Sequence, residues 1–295
     1  MSYQREFSHR LRAGLVGIGS HAYRNILPVM NFLPVQLVAV CNRSNIELAQ
    51  LTAAQYGCKS YQKPEEMYEK ENLDCVSPEA HPSLVIQALQ TGLHVWVEKP
   101  AAMNSEQILQ MIEARQDQVA LVGYKKAFMP AVTKAREVIQ SEKYGNLESM
   151  LAVYPMKMPQ NWTEVIQKGI RTDWLNNGCH SLSVMLSTGG SVQSVVSVQN
   201  ETGHGANIIK FKNGAIGTFF LASGPQPIEE YHFYSQKWHL HIDDSNKVTL
   251  QRGIPFVYER TTSFTAPGDD CGAVVWKVQN CKASLDNQAA FIDVR

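Results

Sequence analysis

Ala13-Gly14-Leu15-Val16-Gly17-Ile18-Gly19-Ser20-His21-Ala22 carries a short apolar run through two glycines into a helical pattern. A strand that turns sharply into a helix needs one glycine at the turn, a second where the backbone approaches a pyrophosphate, and a small third residue where helix and strand pack. Gly17, Gly19 and Ala22 fill those places. The N–H groups of the helix's first turn, at Ser20, His21 and Ala22, then face the phosphates with the positive end of the helix dipole behind them. An ordinary strand-to-helix turn has the same local pattern, so the flanking elements decide.

Those elements alternate. A helix around Tyr23 to Asn31 is followed by the strand Val35 to Cys41, and then by a helix Asn45 to Tyr56 with Ser44 as N-cap and Gly57 as its stop. Next come a helix Pro64 to Lys70, a strand Leu73 to Val76, a helix Pro82 to Gln90 closed by Gly92, and the strand His94 to Val97. A helix Ser105 to Arg115 and a strand Val119 to Val122 end the series. Such alternation predicts βαβ units on a doubly wound parallel sheet, whose ligands bind at the carboxyl ends of the strands. The second strand runs into Cys41-Asn42-Arg43-Ser44. An acidic residue there suits the ribose hydroxyls of NAD, whereas a neutral one beside an arginine suits a 2′-phosphate. Asn42, Arg43 and Ser44 therefore favour NADP over NAD, with NAD left open.

Val95-Trp96-Val97-Glu98-Lys99-Pro100-Ala101-Ala102 delivers an acid, a base and a proline from the end of another apolar strand. Lys99 is expected at the same sheet edge as the glycine turn. After Tyr124 the rhythm changes. A helix Pro130 to Gln140 precedes alternating segments at Glu148 to Pro155, Val192 to Gln199, Ala206 to Lys212, Ala215 to Ala222, Tyr231 to Ile242, Lys247 to Gln251 and Pro255 to Thr261. Asn213-Gly214 between two of them is a hairpin signal, and a mostly antiparallel sheet with one face free is expected. The expected domains are a Rossmann domain over residues 1–124 and an α/β domain on an open antiparallel sheet over 125–295. Between the first two of those segments, a helix Cys179 to Thr188 places Cys179, Leu182, Met185 and Leu186 on one apolar stripe. His180 falls at its border, with Asn176 a turn before and Ser183 a turn after.

Composition excludes several classes. The 295 residues hold 27 basic and 27 acidic side chains, so no global field collects nucleic acid or an anionic membrane. No apolar run approaches a bilayer span and residues 1–12 carry no apolar leader, which leads us to expect a cytoplasmic protein. The six cysteines are scattered without Cys-x-x-Cys or zinc-finger spacing, so reduced thiols without chemistry are expected. No motif supports a metal, a flavin or nucleic acid.

The order of glycine turn, Glu98-Lys99-Pro100, Val122-Gly123-Tyr124-Lys125-Lys126 and the helix bearing His180 resembles the glucose-fructose oxidoreductase and inositol 2-dehydrogenase family, written Gfo/Idh/MocA. The resemblance implies that Lys99 and His180 sit beside the nicotinamide. It implies cofactor contacts from Ser77, Pro78, His81, Glu98 and Lys99, and substrate contacts from Lys99, Tyr124, Lys126, Asn176 and His180. It further implies hydride transfer at a secondary alcohol or ketone of a sugar or cyclitol, with Lys99, His180 and Asn176 as the catalytic group. Either His180 or Lys99 can be the base. A cofactor-retaining glycosidase and a nucleotide-binding member without turnover remain open, as does the substrate. Homo-oligomerisation as a dimer or tetramer is implied through the open sheet. The chain departs from the family at Asn176 and Ser183, where aspartates are common, and at Lys126, where arginine is frequent. The strand before Ser77-Pro78 reads as short, and a further helix is expected beyond Arg295, so the second domain reads as truncated.

Overall fold

The computed structural model describes residues 7–78, 81–170, 172–223, 229–243, 247–252 and 272–277. Its contacts divide the chain into a unit ending at Tyr124 and a unit beginning at Lys125.

The first unit contains strands β1 (Leu11–Val16), β2 (Val35–Cys41), β3 (Lys59–Tyr61), β4 (Cys75–Pro78), β5 (His94–Val97) and β6 (Ala120–Val122). All their pairings are parallel, in the order β3-β2-β1-β4-β5-β6. The order reverses between β1 and β4, which is the doubly wound arrangement the alternation predicts. A π-turn at Ala22–Ile26 continues into helix α1 (Leu27–Met30), and α2 (Ile46–Tyr56), α3 (Pro64–Lys70), α4 (Pro82–Gln90) and α5 (Ser105–Ala114) follow. Successive strand residues feed opposite faces. Leu15 and Val40 pack with Ile18, Ala22 and Ala49 on one side, while Val16 and Cys41 pack with Met67, Leu84 and Val95 on the other. Burial on both faces is why these strands read as continuous apolar runs.

Two local expectations are corrected, and one strand was not anticipated. The strand expected at Leu73 to Val76 is Cys75–Pro78, because pairing with β1 starts at Ala13 opposite Cys75 and ends at Val16 opposite Pro78. Ser77 and Pro78 thus lie within the strand, with the proline at its last position. The cap of α2 is Asn45, whose Oδ1 accepts from Leu48 N at 2.9 Å, whereas the Ser44 hydroxyl donates to Asn42 Oδ1. Strand β3 has too short and polar a sequence to show periodicity. It is tied to the end of α3 by Glu71, a buried carboxylate that accepts from Lys59 Nζ at 2.8 Å and from the Tyr61 hydroxyl.

These bonds, that to Lys59 first, hold Glu71 below its ordinary pKa of 4.5. Its contribution to stability is therefore complete above pH 4.5 and lost as pH falls through the lowered folded value. Thermal unfolding against pH is expected to show a shallower acid limb for Glu71→Gln than for wild type. Identical acid limbs would mean that Glu71 does not couple the fold to protons.

The second unit holds β7 (Ser149–Pro155), β8 (Val192–Gln199), β9 (Gly205–Phe211), β10 (Ile216–Ala222), β11 (Glu230–Ser235), β12 (Trp238–Asp243), β13 (Lys247–Arg252) and β14 (Gly272–Lys277). They form one sheet in the order β14-β13-β12-β11-β7-β10-β9-β8, antiparallel except for the parallel β7–β10 pair. The expected single run Tyr231 to Ile242 is a hairpin, with Ser235 opposite Trp238 across Gln236-Lys237. Its turn carries no glycine, proline or asparagine, and the fold-back shows only as the polar run Ser235-Gln236-Lys237, across which the buried positions shift from Tyr231 and Phe233 to Trp238, Leu240 and Ile242. The segment expected at Pro255 to Thr261 lies outside the described residues, while β14 and helix α7 (Trp162–Lys168) were not anticipated.

Helices α6 (Pro130–Ile139) and α8 (Cys179–Gly189) also belong to this unit, and a π-turn at Trp174–Gly178 leads into α8. Met150, Phe211, Phe219, Phe233, Leu240 and Leu250 build the core together with residues of α6 and α8. The expected stripe on α8 is wrong. Ser181, Val184, Met185 and Thr188 face inward, while Leu186 is 44% exposed. The hydroxyls of Ser183 and Thr188 suit a packed face because they turn back onto the helix's own carbonyls. The Thr188 hydroxyl donates to Val184 O at 2.8 Å and that of Ser183 to His180 O at 2.6 Å.

Candidate cofactor and catalytic site

Parallel strands bring every carboxyl end in the first unit to one edge, so residues far apart in sequence are collected there. Gly17 leaves β1 with φ +91° and donates its N–H to Cys41 O at 2.9 Å, locking the turn to the end of β2. That dihedral strains any residue with a side chain. Gly19 is different in kind. A Cβ built on it meets nothing within 4 Å, leaving an open cradle of the sort a pyrophosphate requires. Ala22 is buried against Ile18 and Val40, the close helix-to-sheet contact that demands a small residue.

Val16, Gly17, Asn42, Arg43 and Ser44 line a recess at the ends of β1 and β2. Arg43 and Ser44 are exposed around it. Asn42 is buried and committed within the fold. Its Nδ2 donates to Ile18 O at 3.2 Å, and its Oδ1 accepts from Ser44 N, Ser44 Oγ and Asn45 N at 3.1 to 3.2 Å. Through these bonds Asn42 forms part of the wall of the recess. Ser77 and Pro78 are buried at the end of β4, beside the reversal point. His81 is exposed, precedes α4 and pairs with the Ser83 hydroxyl at 2.9 Å.

From the end of β5, Glu98 reaches back to the glycine turn. Its Oε1 lies 3.0 Å from His21 Nε2, and His21 Nδ1 lies 2.9 Å from Asn25 Nδ2. The second carboxylate oxygen accepts from Lys99 N at 3.3 Å. Lys99 is half-buried and Tyr124, at the end of β6, is too. The structure thus joins His21, Glu98 and Lys99 in one chain of contacts, a link that sequence spacing cannot show.

In the second unit His180 is 5% exposed and stands in the first turn of α8. Asn176 lies in the preceding π-turn, where its N–H donates to Thr172 O at 2.9 Å and its carbonyl accepts from Cys179 Sγ. Ser183 is used within the helix. Lys126 sits over the Tyr154 ring at 4.6 Å and forms an ion pair with Glu229, both side chains being largely buried. Glu229 also accepts from the Tyr231 hydroxyl at 2.5 Å. Burial, aided by Glu229, pushes the Tyr154 phenol up to about 12. Glu229 was missed by sequence reasoning, since nothing in its surroundings signals a partner 103 residues away. Trp174 stacks on Phe219 at 5.8 Å, and Trp162 is largely exposed.

The cysteines within the described residues, Cys41, Cys58, Cys75 and Cys179, are free thiols. Burial raises Cys58 to about 11 and Cys75 to about 12, which removes their nucleophilic character.

Strand order, glycine turn and open cradle define a Rossmann dinucleotide-binding domain. Residues 11–125 match the model of an oxidoreductase family described by its NAD-binding Rossmann fold, GFO_IDH_MocA. The 1-carboxy-3-chloro-3,4-dihydroxycyclo hexa-1,5-diene dehydrogenase of Comamonas testosteroni is 27% identical over 231 residues, 69% of this chain and 56% of the relative. The myo-inositol 2-dehydrogenase of Thermotoga maritima is 26% identical over 178 residues, 54% of this chain and 52% of the relative. The chain spans about half the length of the curated relatives it matches. A solved dehydrogenase from Chromobacterium violaceum shares the fold with a TM-score of 0.71 and 22% identity, covering 92% of this chain and 82% of that one. Levoglucosan dehydrogenase with NADH and levoglucosan gives 0.67 at 16% identity, covering 92% and 81%. Among the described residues no helix is long and apolar enough to cross a membrane.

Proposed function

We propose that the protein is an NAD(P)-dependent oxidoreductase acting on a secondary alcohol or ketone of a sugar or cyclitol. The observation that carries this reading is the delivery of Lys99, through Glu98 and His21, to the strand edge that holds the Gly17–Gly19 cradle. The names of the relatives, which include inositol and levoglucosan dehydrogenases, support the substrate class. Residues 1–124 serve the cofactor, and residues 125–295 serve the substrate and assembly into homo-oligomers.

A bound nicotinamide supplies the hydride acceptor or donor. The chain's own residues handle the proton and the oxygen. His180 is assigned the hydroxyl proton and the Lys99 ammonium the stabilisation of developing negative charge, or the two exchange these roles. Its burial shields the His180 ring from water, which strengthens such contacts. Asn176 supplies a neutral amide to a substrate hydroxyl.

Arg43 and Ser44 at the rim of the recess support a preference for NADP. In fluorescence titrations with NADPH and NADH, Arg43→Ala is expected to weaken NADPH by about tenfold, the loss of about one charge-assisted bond, and to leave NADH nearly unchanged. Equal effects on both would assign Arg43 to adenine instead of a 2′-phosphate. Failure to bind either nucleotide would end the oxidoreductase reading. Two observations favour a binding member without turnover. Lys126 is engaged by Glu229, and Asn176 cannot favour an imidazolium as a carboxylate does. Nucleotide binding without a change in cofactor absorbance across polyols and ketoses would select it.

A further inference from the structure

The outer face of the β11–β12 hairpin carries three histidines in place of the apolar residues of the opposite face. His232 stands directly opposite His241, Tyr234 opposite His239 and Glu230 opposite Asp243. The rings form a stack, with His232 and His241 at 4.2 Å and 5° between planes, and His232 and His239 at 5.3 Å. Histidine spacing along the chain gives no metal signature, because the grouping arises from cross-strand register.

With Gln251 Oε1 facing His239, the hydrogen bonds along this ladder run in one direction. His239 Nδ1 lies 3.2 Å from Gln251 Oε1, so its N–H donates there and its Nε2 accepts. That Nε2 is 3.1 Å from His232 Nδ1, which must then be the donor. A neutral His232 is left with an Nε2 lone pair aimed at Glu230 Oε2, 3.3 Å away. Two acceptors facing one another at that distance need a cation between them. A proton would satisfy this pair alone. His241 Nε2 is also buried and has no hydrogen-bond partner among the described residues.

We propose that Glu230, His232 and His241 bind a divalent first-row metal ion of the zinc class. One ligand atom from each lies within 4.8 Å of the others. Two imidazoles and a carboxylate form a donor set that such ions prefer over magnesium or calcium, and three protein ligands leave a position for water. Metal–nitrogen bonds of about 2.0–2.1 Å require the His232 and His241 rings, nearly parallel at 4.2 Å, to turn out of their stack so that both lone pairs meet one ion. The Gln251–His239 relay fixes the His232 tautomer and orients its ring, as an outer partner of a metal-bound histidine does. With the Gln251 amide turned over, the relay runs backward into a His232-to-Glu230 hydrogen bond and no ion is required. That arrangement is the alternative to be tested.

The metal-stripped full-length protein is titrated with Zn2+ by calorimetry and with Co2+ by absorbance. Uptake of one ion per chain is expected, with d–d bands and no thiolate charge-transfer band. His241→Gln and Glu230→Gln are each expected to weaken binding by about tenfold or more. Melting of the metal-free variants checks that the fold is intact. Should His241→Gln disturb it, Glu230→Gln, whose side chain is 36% exposed, carries the test. No uptake, uptake unchanged by the substitutions, or a thiolate band would overturn the proposal.

Discussion

Lys99→Met is expected to leave nicotinamide dinucleotide affinity within a few-fold of wild type and to lower turnover by about 10²–10⁴-fold, the usual range for losing a positioned proton-transfer or oxyanion-holding group. The lysine leaves β5 on a peptide whose N–H is bonded to Glu98, and Glu98 is held by His21. Methionine preserves the length of the stem and removes the charge. Single-turnover absorbance on the best substrate of a polyol and ketose panel, beside a nucleotide titration, separates chemistry from binding. Equal loss of affinity and rate would make Lys99 a cofactor-binding residue. Unchanged turnover would remove it from the chemistry.

Gly19→Val should act on binding and leave folding nearly untouched. The position has an ordinary backbone conformation and nothing within 4 Å of an added Cβ, so the side chain enters open space. That space is where a pyrophosphate must approach the backbone. Displacing it forfeits about two charge-assisted bonds of about 1.5–3 kcal/mol each, a loss in affinity of a hundredfold or more. Melting without nucleotide is expected to match wild type, while the stabilisation conferred by added NADPH or NADH disappears. Gly17→Val provides the contrast, since φ +91° strains the fold itself and lowers melting without any ligand. Undiminished nucleotide binding by Gly19→Val would show that the cradle holds no phosphate.

Much of the first unit was legible because a parallel sheet buried on both faces writes itself as apolar runs between capped helices. Val35–Cys41, Pro64–Lys70 and His94–Val97 fall where periodicity placed them. What escaped was short or polar, as with Lys59–Tyr61, or unpunctuated, as with the turn between Ser235 and Trp238. The stripe on α8 was misread because apolar identity was taken as burial, whereas the packed face there selects small side chains. The candidate site was legible as a set of residue types at strand ends, but its wiring was not. Neither Glu98 with His21 nor Lys126 with Glu229 leaves a trace in linear spacing.

Asn42 gives the recess a property of its own. With one amide it holds Ile18 of the glycine turn and the backbone of the next loop at Ser44 and Asn45. The two walls of the recess are thereby stapled into one rigid piece before anything binds, and little chain entropy remains to be lost on binding. The shape of this pocket is decoupled from its charge. Exchanging the exposed groups at 43 and 44 should therefore retune the choice between the two nicotinamide cofactors without rebuilding the scaffold, so that cofactor preference behaves as a replaceable surface feature on a fixed frame.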